Sequence, residues 1–295
     1  MAASSFDDRD GTIWMDGHLV PWRAASVHVL THAMHYASAV FEGQRAYNGE
    51  IFALTAHSER LVRSARLLGF EIPWSVAEID AACRATLAAS GLADAYMRPI
   101  AWRGSEQMGV AAPNARIHLA IACWEWGAYF GEEALHKGLR LDLAPWRRPA
   151  PYTAPTESKA AGLYMICTLS KHRAADRGFD DALMLDWRGQ VAEATGANIF
   201  FVQDGTLHTP VPDCFLDGIT RRTVIDLARA RGIPVVERAI WPEEMEGFEQ
   251  CFLTGSAAEV TPVGSIGPWR FEVGALTRQL MQDYAAHVRG QRPNS

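Results

Sequence analysis

The chain has 295 residues, 48% of them hydrophobic and 21% charged, with a formal net charge of −6. That is the composition of a soluble globular protein of one to two domains, and with no basic run it argues against nucleic acid as a partner. No apolar run is long enough to span a bilayer, and the polar start MAASSFDDRDGT lacks the basic-then-apolar pattern of a secretory signal, so a cytoplasmic protein without membrane contact is expected. The five cysteines (Cys83, Cys123, Cys167, Cys214 and Cys251) are far apart and odd in number, which predicts reduced thiols rather than a disulfide framework.

Residues 12–30 read as short strands broken by a hairpin turn at Asp16-Gly17. In the stretch HAMHYASAVFEGQRAY, Val40-Phe41 suggests a strand start and Gly43 a close backbone approach. His32 and His35 have no third ligand at useful spacing, so no metal site is expected. Thr55 suits the N-cap of a helix whose Leu61, Val62, Ala65 and Leu68 share a face and which Gly69 ends. Arg60, Arg63 and Arg66 lie on another face, which periodicity alone reads as solvated. A second helix is predicted over residues 77–89, then strands near 95–103 and 116–124. The loop between these strands holds Met108-Gly109-Val110. Strand alternation puts Tyr96 and Arg98 on one face, as a functional pair or as ordinary surface residues. Residues 127–138, rich in glycine and charge, read as an interdomain linker carrying Tyr129. It separates a small α+β N-terminal domain, 1–126, from a larger C-terminal domain, 139–295.

The second domain opens with a strand over 139–143 and a Pro-rich stretch over 145–155. Thr156-x-x-Lys159 then precedes a helix with Leu163, Ile166 and Leu169 as its apolar face. A lysine there is ordinarily a surface residue lying along its apolar neighbours. A strand follows over 180–186, with a turn at Trp187-Arg188-Gly189. Next comes EATGANIFFVQDGTLHTPVPDCFLDGITR, residues 193–221. The apolar run 198–203 suits a buried strand, and Asp204-Gly205 is a hairpin turn into 206–209 because both turn positions favour positive φ. From Ile219 the pattern is helical, with Val224, Leu227 and Ala228 on one face and Gly232 as the stop. Glu193 before the hairpin reads either as a surface acid or as a functional carboxylate. The helix start at Gly218-Ile219-Thr220 suits an anion, since its first amide hydrogens are unpaired and the helix dipole is positive there. Residues 233–237 and 250–253 read as further buried strands. Thr254 to Glu259 reads as a tight turn of small residues at a strand end, and 273–288 as a closing amphipathic helix.

Glu-x-Thr-x-x-Asn-Ile-Phe, then Leu-x-Thr, then Leu-x-Gly-Ile-x-Arg, with spacing intact, resembles the signature of the class IV aminotransferases. These are fold-type IV enzymes that use pyridoxal 5'-phosphate. The resemblance covers about residues 10 to 289. It implies a mixed α and β (α+β), two-domain, D-amino-acid-aminotransferase-like architecture. It makes Lys159 the Schiff-base lysine, although Ala161 and Leu163 stand where the family often carries glycine and asparagine. Glu193 would pair with the pyridine nitrogen and Tyr164 with the ring's phenolic oxygen. Arg60, in the family pattern His-x-x-Arg-Leu at 57–61, would bind the phosphate with Gly218, Ile219, Thr220 and Ser256, while Leu216 packs on the ring.

Tyr36, Phe41, Glu42-Gly43, Arg45 and Tyr96-x-Arg98, with Met108-Gly109-Val110, resemble the branched-chain branch of that family. They imply L-leucine, L-isoleucine or L-valine reacting with 2-oxoglutarate, to give branched-chain 2-oxo acids and L-glutamate. Tyr129, Trp126 and the 256–257 amides, including that of Ala257, complete the implied substrate pocket. Val110 would come from a partner subunit, so a homodimer or higher homo-oligomer is implied. A D-amino-acid or (R)-amine transaminase would lack the Tyr-x-Arg and Met-Gly-Val features. A 4-amino-4-deoxychorismate lyase keeps the lysine and the cofactor on the same fold but releases pyruvate.

Overall fold

The computed structural model describes residues 5–127 and 132–291, which fall into two compact units. The first comprises Met1–Trp126 together with Ser158–Gly162. Its elements are β1 (Thr12–Met15), β2 (His18–Pro21), α1 (His32–Tyr36), β3 (Ala39–Phe41), β4 (Gln44–Tyr47), β5 (Glu50–Ile51), α2 (Leu54–Leu67), α3 (Val76–Ser90), β6 (Ala95–Arg103) and β7 (Ile117–Trp124). The strands form an antiparallel sheet in the order β2-β1-β7-β6-β4-β5, with β3 also on β6. Leu61 and Ala65 of α2 and Ile79 and Cys83 of α3 pack on Met97, Leu119 and Ile121 of the sheet. Because side chains alternate along a strand, burying Met97 under the helices turns Tyr96 and Arg98 to the opposite face.

One local expectation changes in this unit. Helix α2 begins after Ala53, which has φ of 51°, and Thr55 does not cap it. The Thr55 hydroxyl instead donates to Asp80 Oδ2 at 2.6 Å, tying α2 to α3. The capping box lies one helix later, where Ser75 and Glu78 satisfy each other's backbone amides at the start of α3.

The second unit comprises Gly127–Glu157 and Leu163–Ser295. It contains α4 (Glu132–Lys137), β8 (Leu139–Leu143), α5 (Met165–Asp176), β9 (Asp181–Leu185), β10 (Val191–Ala194), β11 (Asn198–Gln203), β12 (Thr206–Thr209), α6 (Ile219–Ala230), β13 (Val235–Glu237), β14 (Gln250–Gly255), β15 (Glu259–Ile266), β16 (Trp269–Arg270) and α7 (Ala275–His287). The strand path is β10-β9-β8-β15-β14-β11-β12-β13. A further pairing of β10 with β11, at Glu193 opposite Asn198, closes the first six strands of that path into a ring. Ile199, Phe201, Leu253 and Val263 fill its core.

Part of the stretch read as linker is the helix α4, and Tyr129 lies outside the described residues. In α5 the predicted apolar face is not the buried one. Leu169 is exposed, and Cys167, Ser170 and Ala174 turn inward. Leu163 belongs to the 3₁₀ turn Ala161–Tyr164 that precedes the helix, and within α5 the face that packs on β8 and β9 is the buried one. Strand β13 is shorter than predicted and lies exposed at the sheet edge, pairing only with β12.

Candidate active site

In the first unit, Lys159 is pinned through its backbone. Its amide donates to Ser64 Oγ at 3.0 Å, and its carbonyl accepts from the Phe41 amide at 3.2 Å. The preceding Ser158 hydroxyl donates to the Ser64 carbonyl at 2.9 Å. These bonds, with a bridge from Ala160 to Val40, set the lysine against α2 and β3. Its Nζ stands 5.0 Å from the centre of the Phe41 ring. Lys159 is half-buried and is not a surface residue at a helix entrance.

Arg98 also lies over the Phe41 ring, with its guanidinium carbon 4.8 Å from the centroid. Its Nη2 donates to the Tyr96 hydroxyl at 3.0 Å, while its Nε is buried without a hydrogen-bond partner. An unsatisfied guanidinium donor beside a phenol suits a carboxylate ligand. Tyr96 itself is buried between Trp124 and Trp126, at ring separations of 5.1 and 4.7 Å.

Gly43 explains why the Tyr96 hydroxyl sits where it does. A Cβ built at Gly43 would lie 2.1 Å from that oxygen, so the glycine is required for space. Gly43→Ala should therefore fold but push Tyr96 from Arg98, lowering kcat/KM by about 100-fold, the scale of a 1 Å misplacement. Steady-state kinetics on the purified variant checks this; unchanged kcat/KM would show that the Tyr96 position does not matter.

Arg60 is not on a solvated face. It is 5% exposed, and its Nε and Nη2 bind the two oxygens of Glu42 at 2.6 and 2.8 Å. His57 Nδ1 donates to Glu42 Oε2 at 2.7 Å. Burial alone would raise the Glu42 pKa, but Arg60 and His57 outweigh it and hold the carboxyl well below its usual range. His57 goes the other way from a simple ion pair. Burial is the largest effect on it and pushes its pKa down, so the ring is neutral at pH 7.

Tyr36 and Val110 both lie at the surface of the chain. Tyr36 is exposed and rests on the His32 ring at 4.7 Å, and Val110 is 84% exposed on its loop. His32 holds that loop through Nε2 and the Gly109 carbonyl at 2.9 Å, while its Nδ1 meets Ser38 Oγ at 2.9 Å.

In the second unit, Glu193 is 4% exposed, which rules out a surface acid. Arg148 Nη2 donates to one of its oxygens and Asn198 Nδ2 to the other, the latter at 3.0 Å. Burial works against the Arg148 charge, but Glu193 outweighs it and keeps the guanidinium protonated. Tyr164 lies within electrostatic reach of the same guanidinium. Asn198 also bonds the Leu216 carbonyl and the Gly218 amide, so the loop entering α6 is tied to Glu193. Helix α6 starts at Ile219 and the buried Thr220, with Gly218 as an N-cap that offers no side-chain acceptor. Its first-turn amides are thus available to an anion. Ser256 and Ala257 occupy the turn between β14 and β15, both half-buried.

Sequence reading missed Arg148 and Ser64 as site members. Arg148 sits in a Pro-rich loop with no periodic signal, and Ser64 reaches its partner only through the fold. A cluster with metal-ligand chemistry, Asp186, Asp213 and Cys214, is also present among the described residues. Arg188 occupies both its carboxylates, at 2.7 Å from Asp186 Oδ2 and 2.8 Å from each Asp213 oxygen.

Residues 39–266 match the family model of amino-transferase class IV. The chain belongs to the class IV aminotransferases. Its fold is the fold-type IV architecture of that family. The branched-chain-amino-acid aminotransferase of Pseudomonas aeruginosa is 42% identical, over 97% of this chain and 96% of the relative. The solved branched-chain aminotransferase of Thermoproteus uzoniensis, in complex with norvaline, superposes with a TM-score of 0.92 at 35% identity, covering 96% of each chain. That of Thermobaculum terrenum, in its PLP form, gives 0.87 at 31% identity, over 96% of this chain and 95% of the other. Among the described residues of this class IV aminotransferase, no helix is long and apolar enough to cross a membrane.

Proposed function

We propose that this class IV aminotransferase moves the amino group of L-leucine, L-isoleucine or L-valine to 2-oxoglutarate, yielding branched-chain 2-oxo acids and L-glutamate with pyridoxal 5'-phosphate as cofactor. The observation that carries the substrate reading is Arg98, stacked on Phe41, bonded to Tyr96 and holding a buried unpaired Nε. It sets a carboxylate receptor against an apolar wall, which is what alternating apolar and dicarboxylate substrates require.

The donor set fits the cofactor. A buried carboxylate, Glu193, suits a protonated pyridine nitrogen, and the uncapped α6 start suits a phosphate. Bound pyridoxal phosphate supplies the electron sink for a carbanion at the substrate Cα. Lys159 would hold the cofactor covalently through Nζ, then carry the proton away from Cα. Glu193, its two oxygens braced by Arg148 and Asn198, would keep the ring nitrogen protonated. Tyr164 would donate to the ring oxygen and Leu216 would pack on the ring. Arg60, aligned by Glu42, would take the phosphate with Gly218, Ile219, Thr220 and Ser256. The Ser256-Ala257 amides and the Tyr96 hydroxyl would receive the α-carboxylate, and Arg98 the second carboxylate of 2-oxoglutarate. Tyr36, Phe41, Gly43 and Tyr129 would border the side chain.

A second copy would bring Val110 to the pocket. Supporting this are an apolar cavity of about 380 Å³ in the first unit, lined by Ile13, Val27, Met34, Ile100 and Trp102, and the exposed Val29, Leu30 and Val110 of the same unit. The same reading places the enzyme in the cytoplasm, where the five buried thiols stay reduced.

The test follows each half-reaction by the cofactor's absorption. L-leucine and 2-oxoglutarate should both react well, and D-alanine and 1-phenylethylamine poorly. Arg98→Ala should slow the 2-oxoglutarate half-reaction by about 10- to 100-fold and the leucine one much less, because only the former brings a carboxylate that would be left unpaired. Equal losses would make Arg98 structural, and a preference for D-alanine would overturn the branched-chain reading. Sedimentation of the active protein as single copies would remove the partner's Val110.

A further inference from the structure

We propose that Asn198 is a positioning residue that locks the carboxylate for the cofactor's ring nitrogen and the turn for its phosphate into one rigid frame. The proposal rests on the pyridoxal phosphate reading above. Asn198 is the first residue of β11, is 5% exposed and lies opposite Glu193 where the strand ring closes. Its amide makes three hydrogen bonds. Nδ2 donates to Glu193 Oε2 and to the Leu216 carbonyl, each at 3.0 Å, and Oδ1 accepts from the Gly218 amide at 3.2 Å.

Only a side-chain amide does all three. It has two hydrogens for two acceptors and an oxygen for one donor, so the direction of the amide is set by its partners. A carboxylate would keep the bond to Gly218 and repel Glu193, and an apolar residue would remove all three bonds. Gly218 is shaped to the same contact. A Cβ there would lie 2.2 Å from Asn198 Oδ1, although φ at Gly218 is −64° and any residue could adopt that backbone. Space for the asparagine, not conformational freedom, is what the glycine supplies.

The consequence is mechanical. Glu193 and the residue 216–218 loop, 23 to 25 positions apart along the chain, move together through one side chain. A flat ring carrying a phosphate has a fixed length. A frame of matching length binds both ends at once without first paying to order them, so the phosphate adds more affinity than it would on a loose loop.

The test measures dissociation constants of pyridoxal 5'-phosphate and of pyridoxal from the full-length apo-protein by tryptophan fluorescence. The ratio of the two constants reads the worth of the phosphate. Asn198→Ala and Gly218→Ala should each shrink that ratio by about ten-fold, the scale of one lost hydrogen bond. Gly218→Ala reaches the contact from the other side, so the result does not hang on whether Asn198→Ala folds. Asn198→Asp should shrink the ratio at least as much as Asn198→Ala. Equal weakening of both ligands in the folded variants would overturn the coupling and leave Asn198 a part of the strand closure. Failure of the unaltered protein to bind pyridoxal phosphate would overturn the cofactor reading itself and this proposal with it.

Discussion

Lys159→Ala should abolish turnover, by about a million-fold, the scale on which removing a covalent catalytic nucleophile acts, while leaving the fold intact. The loss is large because one nitrogen would serve twice, first as the covalent tether and then as the proton carrier. The fold should survive because the segment is held by backbone bonds, from the Lys159 amide to Ser64 and from the Phe41 amide to the Lys159 carbonyl, which alanine keeps. The chain has three lysines, so the assignment is easily tested. Borohydride reduction of the holo-protein followed by peptide mapping should trap the cofactor on Lys159. A label on Lys137 or Lys171 would sink the assignment. Lys171 is a poor rival on structural grounds, since its Nζ pairs with the buried Asp181 at 3.3 Å.

Glu42→Gln is expected to destabilise the protein by about 3–5 kcal/mol, lowering Tm by roughly 6–20 °C. Glu42 is fully buried, and its charge is what makes the buried Arg60 guanidinium tolerable. The amide keeps the shape and an acceptor but leaves a buried cation without its counter-charge. The same groups set a pH dependence. The Glu42 pKa is depressed in the folded state, so its contribution is complete above the ordinary carboxyl value of 4.5 and is lost as pH falls through the folded value. His57 is also depressed below its ordinary 6.5, so acid favours the unfolded chain, which takes up the proton more readily. Stability should therefore begin to fall below about pH 6.5 and fall further below about 4.5. Thermal melts across pH 4–8 read this directly. A Glu42→Gln melt within a degree of the parent at pH 7 would mean that the Glu42–Arg60 pair contributes nothing net.

Local chemistry along the chain already determined much of this protein. Asp204-Gly205 specified its hairpin, and both residues take positive φ, 48° and 71°. The apolar run 198–203 became a buried strand, and Gly218-Ile219 opened a helix. Each of these outcomes depends on the conformational preference of neighbouring residues, which a short window of sequence contains. The spaced signature from Glu193 to Arg221 likewise carried the family.

Only the tertiary structure decided which charges are buried and with whom. Periodicity placed Arg60 on a polar helix face and had no view of Glu42, eighteen positions away on the turn between β3 and β4. Arg148 and Glu193 are separated by 45 positions, and no local signal links a proline-rich loop to a strand. Leu169 ended outside and Cys167 inside because the face of α5 that is buried is the one β8 and β9 cover, which apolar spacing does not encode. A helical or extended pattern ranks the faces of one element by polarity. Whether a polar side chain is solvated or buried depends on what another element brings to it, because a charge is tolerated inside only when its partner arrives with it.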